Sequence, residues 1–210
     1  MAEEVVIISG SVQLQGRLNV PLKAAGIVIF AHGSGSSRLS PRNTLVAKAL
    51  EDKGLATLLF DLLTEDEDVT YATRFDIPLL TQRLKAATGW ILEYPKTQKL
   101  RVGYFGASTG SAAALAAAAE LGTTIAAVVS RGGRPDLVNS VLGKVTASTL
   151  LIVGGSDPQV LELNQQAYAL LQTKKHLKII PGATHLFEEP GALEEVARLA
   201  AEWFTKYLVK

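Results

Sequence analysis

Six short, almost wholly apolar runs recur along the chain and constrain its fold more than any other feature. They cover residues 27–31, 55–60, 102–105, 125–129, 149–153 and 177–180. Runs of this kind are typical of parallel strands, because a strand covered on both faces has no side for polar residues. Residues 12–20 alternate apolar and polar side chains instead, which predicts a strand with one solvent-facing side. We expect this strand near a sheet edge, paired with residues 5–9 across a tight turn.

Stretches between these runs carry the start and stop signals of helices. Ser40 followed by Pro41 is typical of a helix N-terminus, and that helix is predicted to end at Gly54. Asp76 is predicted to cap a second helix, which Pro95 prevents from continuing. Further predicted helices run over residues 109–122, 160–171 and 192–208.

The alternation of strands and helices defines the fold class. Such an order requires right-handed crossover connections and builds a mainly parallel sheet. We therefore predict an α/β protein, a three-layer α/β/α sandwich around an eight-stranded, mostly parallel sheet. With 210 residues, the chain is expected to form a single domain over residues 1–210. The stretch 131–148 between two strands is too short for a lid, so we expect no cap domain and a fairly open site.

Charge and composition limit the partners of such a protein. Lysine and arginine total 21 against 20 aspartate and glutamate, which gives no reason to expect nucleic acid or an anionic membrane as a partner. We expect a small-molecule partner, and a monomer or homodimer. The absence of cysteine removes disulfides, thiolate metal sites and a cysteine nucleophile. Residues 1–10 resemble neither a signal nor a transit peptide, so a cytoplasmic location is the default.

The stretch Gly106-Ala107-Ser108-Thr109-Gly110 joins a predicted strand to an alanine-rich predicted helix. A serine at such a sharp turn exposes its hydroxyl above the sheet, and the flanking glycines let helix and strand pack without a β-carbon. The pattern alone is only suggestive, and an ordinary glycine-rich turn capped by Ser108 is the alternative. The strand-turn-helix context favours Ser108 as a nucleophile.

A serine hydroxyl needs a base within hydrogen-bond reach, and the chain contains three histidines. His185 follows the last predicted strand and is therefore expected at the same carboxyl edge as Ser108. His176 precedes that strand and is expected to be exposed at the opposite edge. The base in turn needs a carboxylate to hold its tautomer. Asp157, directly after a strand end, is the preferred acid, and Asp136 is a competitor that more naturally begins a helix.

Two backbone N–H groups must also face the oxyanion of a tetrahedral intermediate. The Thr109 N–H is one candidate, because it lies at the head of the helix that follows the nucleophile. The Ser34 N–H is the other, in the glycine-rich turn 32–36 after an apolar run. His32 is then expected to be a buried, hydrogen-bonded support for this turn. The turn lacks the lysine of a phosphate-binding P-loop and the full dinucleotide fingerprint.

The chain order Ser108, Asp157, His185, the His-Gly turn after the third strand and the eight strands resemble the α/β-hydrolase superfamily across essentially the whole chain. The capless layout is similar to its dienelactone hydrolase-like branch, although dienelactone hydrolases use cysteine where this chain has Ser108. The resemblance implies hydrolysis of small carboxylic esters or lactones through an acyl-enzyme, with no metal or organic cofactor. Thioester hydrolysis, acyl transfer and a non-catalytic ligand-binding protein of the same fold are the alternatives.

Four arginines are expected at or near the same edge: Arg131, Arg38, Arg42 and Arg134. Arg131 and Arg38 are candidate substrate-binding residues, because a guanidinium suits bidentate contact with a carboxylate or phosphate. The competing interpretation is ion pairing with acids such as Asp61, Asp76 or Asp136. The acidic run 65–68 is expected to be a solvated loop.

Overall fold

The computed structural model describes residues 2–209, in which helices pack on both faces of an eight-stranded sheet. The strands are β1 (Glu3–Ser9), β2 (Val12–Asn19), β3 (Ile27–Ala31), β4 (Ala56–Phe60), β5 (Val102–Ala107), β6 (Ile125–Arg131), β7 (Ser148–Gly154) and β8 (Lys175–Ile180). Their order across the sheet is β1-β2-β4-β3-β5-β6-β7-β8. Strand β2 is antiparallel to both of its neighbours, and the remaining pairs are parallel.

The α-helices are α1 (Pro41–Glu51), α2 (Glu65–Asp68), α3 (Ile77–Glu93), α4 (Thr109–Leu121), α5 (Pro158–Leu170) and α6 (Ala192–Leu208). Short 3-10 helices span Tyr71–Phe75, Gly122–Thr124 and Pro135–Lys144. Helices α1 and α6 pack on one face of the sheet, and α3, α4 and α5 cover the other. This is the predicted three-layer sandwich of the α/β-hydrolase fold. Among the helices of residues 2–209, none combines the length and apolar character that a membrane span requires.

Burial on both faces explains the apolar runs of the central strands. Every residue of β3, β4, β5 and β7 is buried. In β5, Tyr104 points towards α3 and bonds Thr88 Oγ1 at 2.6 Å, while Phe105 packs on Phe30 with ring centroids 5.0 Å apart. Because these strands are parallel, their carboxyl ends meet at one edge of the sheet, where ligands bind in open α/β folds.

The predicted helix starts are confirmed by their caps. Ser40 Oγ accepts a hydrogen bond from the Asn43 N–H at 3.4 Å, and the Asp76 carboxylate accepts one from the Leu79 N–H at 3.0 Å. Helix α5 begins at Pro158, slightly earlier than the predicted residue 160, because proline is favoured in the first helical turn.

The acidic run 65–68 forms helix α2, so the prediction of a loop is wrong, although none of its residues is buried and the run is solvated as predicted. Thr64 and Glu67 form a capping box at the start of α2, in which each side chain accepts a hydrogen bond from the other residue's backbone N–H. Glu67 also pairs with Arg83 at 2.7 Å, and Asp68 pairs with Arg74 at 2.9 Å. The run is helical because its last two acids have cationic partners and because acids favour the first turn of a helix.

His176 lies within β8, and the prediction that it precedes the strand is wrong. The strand begins at Lys175, where it already pairs with β7. Because β8 is the edge strand, His176, Lys178 and Ile179 are exposed, and the strand is not covered on both faces as its apolar run predicted.

Candidate active site

Ser108 occupies the turn between β5 and α4 with φ 50° and ψ −120°. A positive φ is uncommon for a residue with a side chain and persists only where the surroundings hold it. The Ser108 N–H donates to the Arg131 carbonyl at 3.2 Å. The Ser108 carbonyl accepts from the Ser111 N–H at 3.0 Å and from the Arg134 N–H at 3.2 Å. These bonds fix the serine at the carboxyl edge of the sheet.

Two glycines allow the neighbouring backbone to approach this turn. A β-carbon at Gly110 would lie 2.5 Å from the His32 carbonyl oxygen, so α4 can pack against the end of β3 only without a side chain there. A β-carbon at Gly33 would lie 3.0 Å from Ser108 Cβ. The glycine-rich turn after β3 therefore lies directly against the serine.

His185 and Asp157 meet in the loops that follow β8 and β7. His185 Nδ1 donates to Asp157 Oδ2 at 2.8 Å. The Ser156 N–H bonds the Ala183 carbonyl at 2.9 Å and ties the two loops together. Because a carboxylate only accepts hydrogen bonds, this contact places the proton on Nδ1 and leaves the other ring nitrogen, Nε2, as an acceptor.

Gly132 brings the His185–Asp157 pair next to the turn that carries Ser108. A β-carbon at Gly132, which has φ 51°, would lie 3.2 Å from the His185 carbonyl oxygen and 3.5 Å from its ring atom Cε1. Gly132 directly follows Arg131, whose carbonyl accepts the Ser108 N–H. Within residues 2–209, the His185 ring bonds Asp157 and makes no hydrogen bond to Ser108 Oγ. Such bonds are often long before substrate binds.

The competing candidates are engaged elsewhere. Asp136 accepts two hydrogen bonds of 2.8 Å from Arg134. His32 is buried, and its Nε2 accepts a hydrogen bond from the Leu62 N–H at 3.0 Å. Burial lowers the pKa of His32, which favours its neutral form. His32 thus supports the turn after β3, as expected from the sequence, and His176 is exposed on the edge strand.

The two candidate oxyanion donors are in contact with each other. The Ser34 N–H donates to Thr109 Oγ1 at 3.1 Å. The sequence did not indicate this contact, because the two residues are far apart in the chain. The Thr109 N–H belongs to the first turn of α4, where backbone N–H groups have no acceptor within the helix.

The four arginines differ in how their charges are compensated. Arg38 bonds Asp61 at 2.5 Å, Arg42 pairs with Glu188 at 3.3 Å, and Arg134 bonds Asp136, as the ion-pair interpretation predicted. Arg131 is different, because it is buried and its Nε and Nη1 atoms have no hydrogen-bond partner. Desolvation, with a smaller contribution from the charge of Arg42, lowers the pKa of Arg131 to about 10.

Phe187 is a site residue that the sequence did not indicate. Its φ is 58°, its ring is buried, and the ring centroid lies 6.0 Å from Arg131 Cζ. The strained residue shapes the loop just after His185. No local signal distinguishes it from an ordinary loop phenylalanine.

A serine at a strained strand-to-helix turn and a histidine–carboxylate pair at the carboxyl edge of this sheet are the arrangement of an α/β hydrolase. A sequence model of the dienelactone hydrolase family matches residues 14–208. The chain therefore belongs to the dienelactone hydrolase family.

Individual proteins similar to this chain fit that family. The crystal structure of a dienelactone hydrolase from Anabaena variabilis is 58% identical with a TM-score of 0.97, and the match covers 99% of this chain and 98% of that one. Est1E from Butyrivibrio proteoclasticus shares the fold, with a TM-score of 0.84 and 17% identity over 97% of this chain and 98% of that one. A Mycobacterium tuberculosis protein named "Putative phosphoribosyl transferase" is 59% identical over 206 residues, which make up 98% of this chain and 46% of that protein. The chain thus spans about half the length of the curated relatives it matches.

Proposed function

We propose that this chain is a hydrolase, a serine esterase for small carboxylic esters or lactones, with Ser108 as nucleophile, His185 as general base and Asp157 as the acid that orients the base. The observation that carries the proposal is the 2.8 Å bond from His185 Nδ1 to Asp157 Oδ2, beside the strained turn of Ser108. This bond keeps the Nε2 lone pair available to accept a proton.

In the proposed reaction, Ser108 Oγ attacks the carbonyl carbon of the ester while His185 Nε2 takes the hydroxyl proton. The new C–O bond forms as the carbonyl electron pair moves onto oxygen, and Asp157 stabilises the positive charge on the imidazole. When the electron pair returns, the alcohol leaves with the proton from Nε2. Water then repeats both steps on the acyl-enzyme, releases the acid and restores Ser108.

The oxyanion donors of this proposal are the N–H groups of Thr109 and Ser34. Thr109 Oγ1 accepts a hydrogen bond from the Ser34 N–H at 3.1 Å and holds the amide of this turn in place. A carbonyl oxygen that becomes negatively charged is a stronger acceptor than a neutral hydroxyl. As negative charge develops on the carbonyl oxygen, the Ser34 N–H therefore gives up its hydrogen bond to Thr109 Oγ1 and donates to the oxyanion instead.

The open surroundings of the site favour a small substrate. Between β6 and β7, where a lid could be inserted, the chain forms only the 3-10 helix Pro135–Lys144. Each methylene buried in an apolar pocket would contribute about 0.8 kcal/mol, but a site without a lid has little means of burying a long acyl chain. Short acyl esters are thus the preferred substrates in this proposal.

The name of the Mycobacterium tuberculosis relative gives a different activity. It describes a protein of which this chain covers 46%. The groups gathered in this chain, an elbow serine and a histidine held by a carboxylate, are those of acyl transfer to water. We therefore propose ester hydrolysis for this chain. The alternative is transfer of the acyl group to an acceptor other than water, and product analysis distinguishes the two.

The test is hydrolysis of p-nitrophenyl acetate, butyrate and octanoate by the wild-type protein and by Ser108→Ala. Ser140→Ala is the matched control, because Ser140 is exposed in the 3-10 helix Pro135–Lys144. We expect kcat/KM to be highest for the two short esters, to fall by several orders of magnitude in Ser108→Ala and to be unchanged in Ser140→Ala. Activity that survives in Ser108→Ala contradicts the mechanism, and a clear optimum at octanoate contradicts the substrate size.

A further inference from the structure

We propose that Arg131, together with Arg42, forms a binding site for a small oxyanion, a carboxylate or a phosphate-type group, beneath the loop that carries His185. The anion is either free in solution or an anionic group of the substrate itself. The two sources share one chemistry and are separated by the experiments below.

The first observation is the uncompensated charge of Arg131. The residue is only 8% exposed, and its buried Nε and Nη1 atoms have no hydrogen-bond partner. Among residues 2–209, no carboxylate oxygen lies within 4.0 Å of its nitrogens. Arg38, Arg134 and Arg198 each have such a partner. Because a buried charge is costly unless it is paired and hydrogen-bonded, the guanidinium favours the arrival of an anion.

The second observation is where this guanidinium lies. Successive side chains of a strand point to opposite faces, and Ala127 and Val129 belong to the core between β6 and helices α1 and α6. Arg131 is two residues after Val129 on the same strand, so its side chain points to the same face. Phe187 belongs to the same core, and its ring lies 6.0 Å from Arg131 Cζ. The guanidinium thus lies beneath the loop just after His185.

The third observation is a second positive charge at this place. Arg42 is in the first turn of α1, and its Nε is also buried without a partner. Its charge contributes to the lowered pKa of Arg131, so the two guanidiniums are close enough to repel each other. The positive end of the α1 dipole adds to this field. An oxyanion between them would replace this repulsion by attraction.

The acids of the neighbouring loop compensate Arg42 only weakly and make no ion pair with Arg131 among residues 2–209. Glu188 reaches Arg42 at 3.3 Å, but its side chain is 64% exposed, and exposed pairs contribute little. Glu189 Oε1 instead accepts a hydrogen bond from Thr184 Oγ1 at 2.6 Å. The planar guanidinium of Arg131 therefore keeps its N–H groups for a ligand, and a guanidinium matches the two oxygens of a carboxylate or phosphate.

Thermal unfolding in phosphate tests the site without any reference to catalysis. The protein is melted in sodium phosphate and in sodium chloride of equal ionic strength, as wild type, as Arg131→Met and as Arg198→Met. Arg198 is a matched control, because it is an arginine on α6 whose partners are the exposed Glu195 and Glu202. At phosphate tenfold above the dissociation constant, we expect a rise in the wild-type Tm of about 3–6 °C relative to chloride.

We expect the phosphate-specific rise in Tm to disappear in Arg131→Met and to persist in Arg198→Met. No phosphate-specific rise in the wild type, or an equal rise in Arg131→Met, overturns the proposal. If Arg131→Met does not fold, Arg42→Gln decides in its place, because this guanidinium is partly exposed and its loss leaves the core intact. A rise that is fully retained in Arg42→Gln then counts against the site.

A kinetic comparison identifies the source of the anion and rests on the proposed esterase function. For the wild type and Arg131→Met, hydrolysis is measured with p-nitrophenyl hydrogen succinate and with p-nitrophenyl butyrate, and the ratio of the two kcat/KM values is formed. A ratio that falls tenfold or more in the variant places the substrate's own carboxylate at Arg131. An unchanged ratio, with the phosphate-specific rise in Tm lost, identifies a free anion. If neither ester is hydrolysed, the proposed function fails while the thermal result still decides on the site.

Discussion

Replacing Gly110 by alanine tests the close approach on which the site depends. A β-carbon at this position would lie 2.5 Å from the His32 carbonyl oxygen, 2.6 Å from the Ala31 carbonyl carbon and closer still to the Ala31 carbonyl oxygen. All three are backbone atoms at the end of β3, which pairs with β4 on one side and β5 on the other. No side-chain rotation can relieve the contact, so α4 or the end of β3 must move.

The size of the effect follows from that displacement. Ordinary C···O contacts begin at about 3.3 Å, so the His32 oxygen must retreat by about 0.8 Å and the closer Ala31 oxygen by more than that. Overpacking of this kind costs about 1–3 kcal/mol, and the shift also strains the His32–Leu62 and Ser34–Thr109 hydrogen bonds, at about 1 kcal/mol each. Alanine recovers about 1 kcal/mol as the better helix former. We expect a net loss of about 3 kcal/mol in the free energy of unfolding.

Urea and thermal unfolding measure this loss. A change of about 3 kcal/mol corresponds to a Tm lowered by about 6–12 °C in a chain of this length. Gly89→Ala is the matched control, since Gly89 is a glycine within α3 whose β-carbon would have no neighbour within 4 Å. It should raise stability by about 0.5–1 kcal/mol. A Gly110→Ala protein as stable as wild type, with unchanged ester hydrolysis, would refute the reasoning.

Three further predictions concern individual site residues. Asp157→Asn should keep the fold but lower kcat by about three to four orders of magnitude, because His185 is no longer held in the productive tautomer. Asp136→Asn should leave kcat unchanged. If steady-state kinetics show the loss in Asp136→Asn instead, the acid is Asp136. Thr109→Val should leave kcat/KM unchanged or raise it, because the Ser34 N–H is then free to donate to the oxyanion. A loss of about 100-fold or more in kcat/KM would instead show that the Thr109 hydroxyl itself donates to the oxyanion. Burial lowers the pKa of His32 in the folded chain, so the unfolded chain binds the extra proton and stability is lost as pH falls below about 6.5. Urea unfolding should show that the free energy of unfolding falls less steeply between pH 7 and pH 5 in His32→Gln than in the wild type. An equal pH dependence in the two proteins contradicts the assignment.

Features set by neighbouring residues were predictable from the sequence. The caps at Ser40 and Asp76 were predicted correctly because a cap is made within one helical turn. The central strands were predicted because strands buried on both faces are apolar throughout. The elbow serine was indicated for the same reason, since strand, turn and helix are contiguous at Ser108.

Features that depend on what folds against a residue were not predictable. The 2.7 Å pair of Glu67 with Arg83, which contributes to an ordered α2, joins residues on different helices. The same apolar composition is compatible with a central or an edge strand, so the exposure of β8 was missed. Arg131 and Arg38 are equivalent candidates in the sequence, and only the fold shows that Arg38 meets Asp61 while Arg131 is buried without a carboxylate.

Activation of Ser108 as a nucleophile is the central claim, and labelling with a fluorophosphonate tests it most directly. Such a probe forms a stable adduct only with a serine whose hydroxyl is activated by a neighbouring base. After digestion, mass spectrometry of the folded protein should place one adduct on the peptide that contains Ser108 and none in Ser108→Ala. An adduct on another serine, or no adduct in a sample shown to be folded, would contradict the claim.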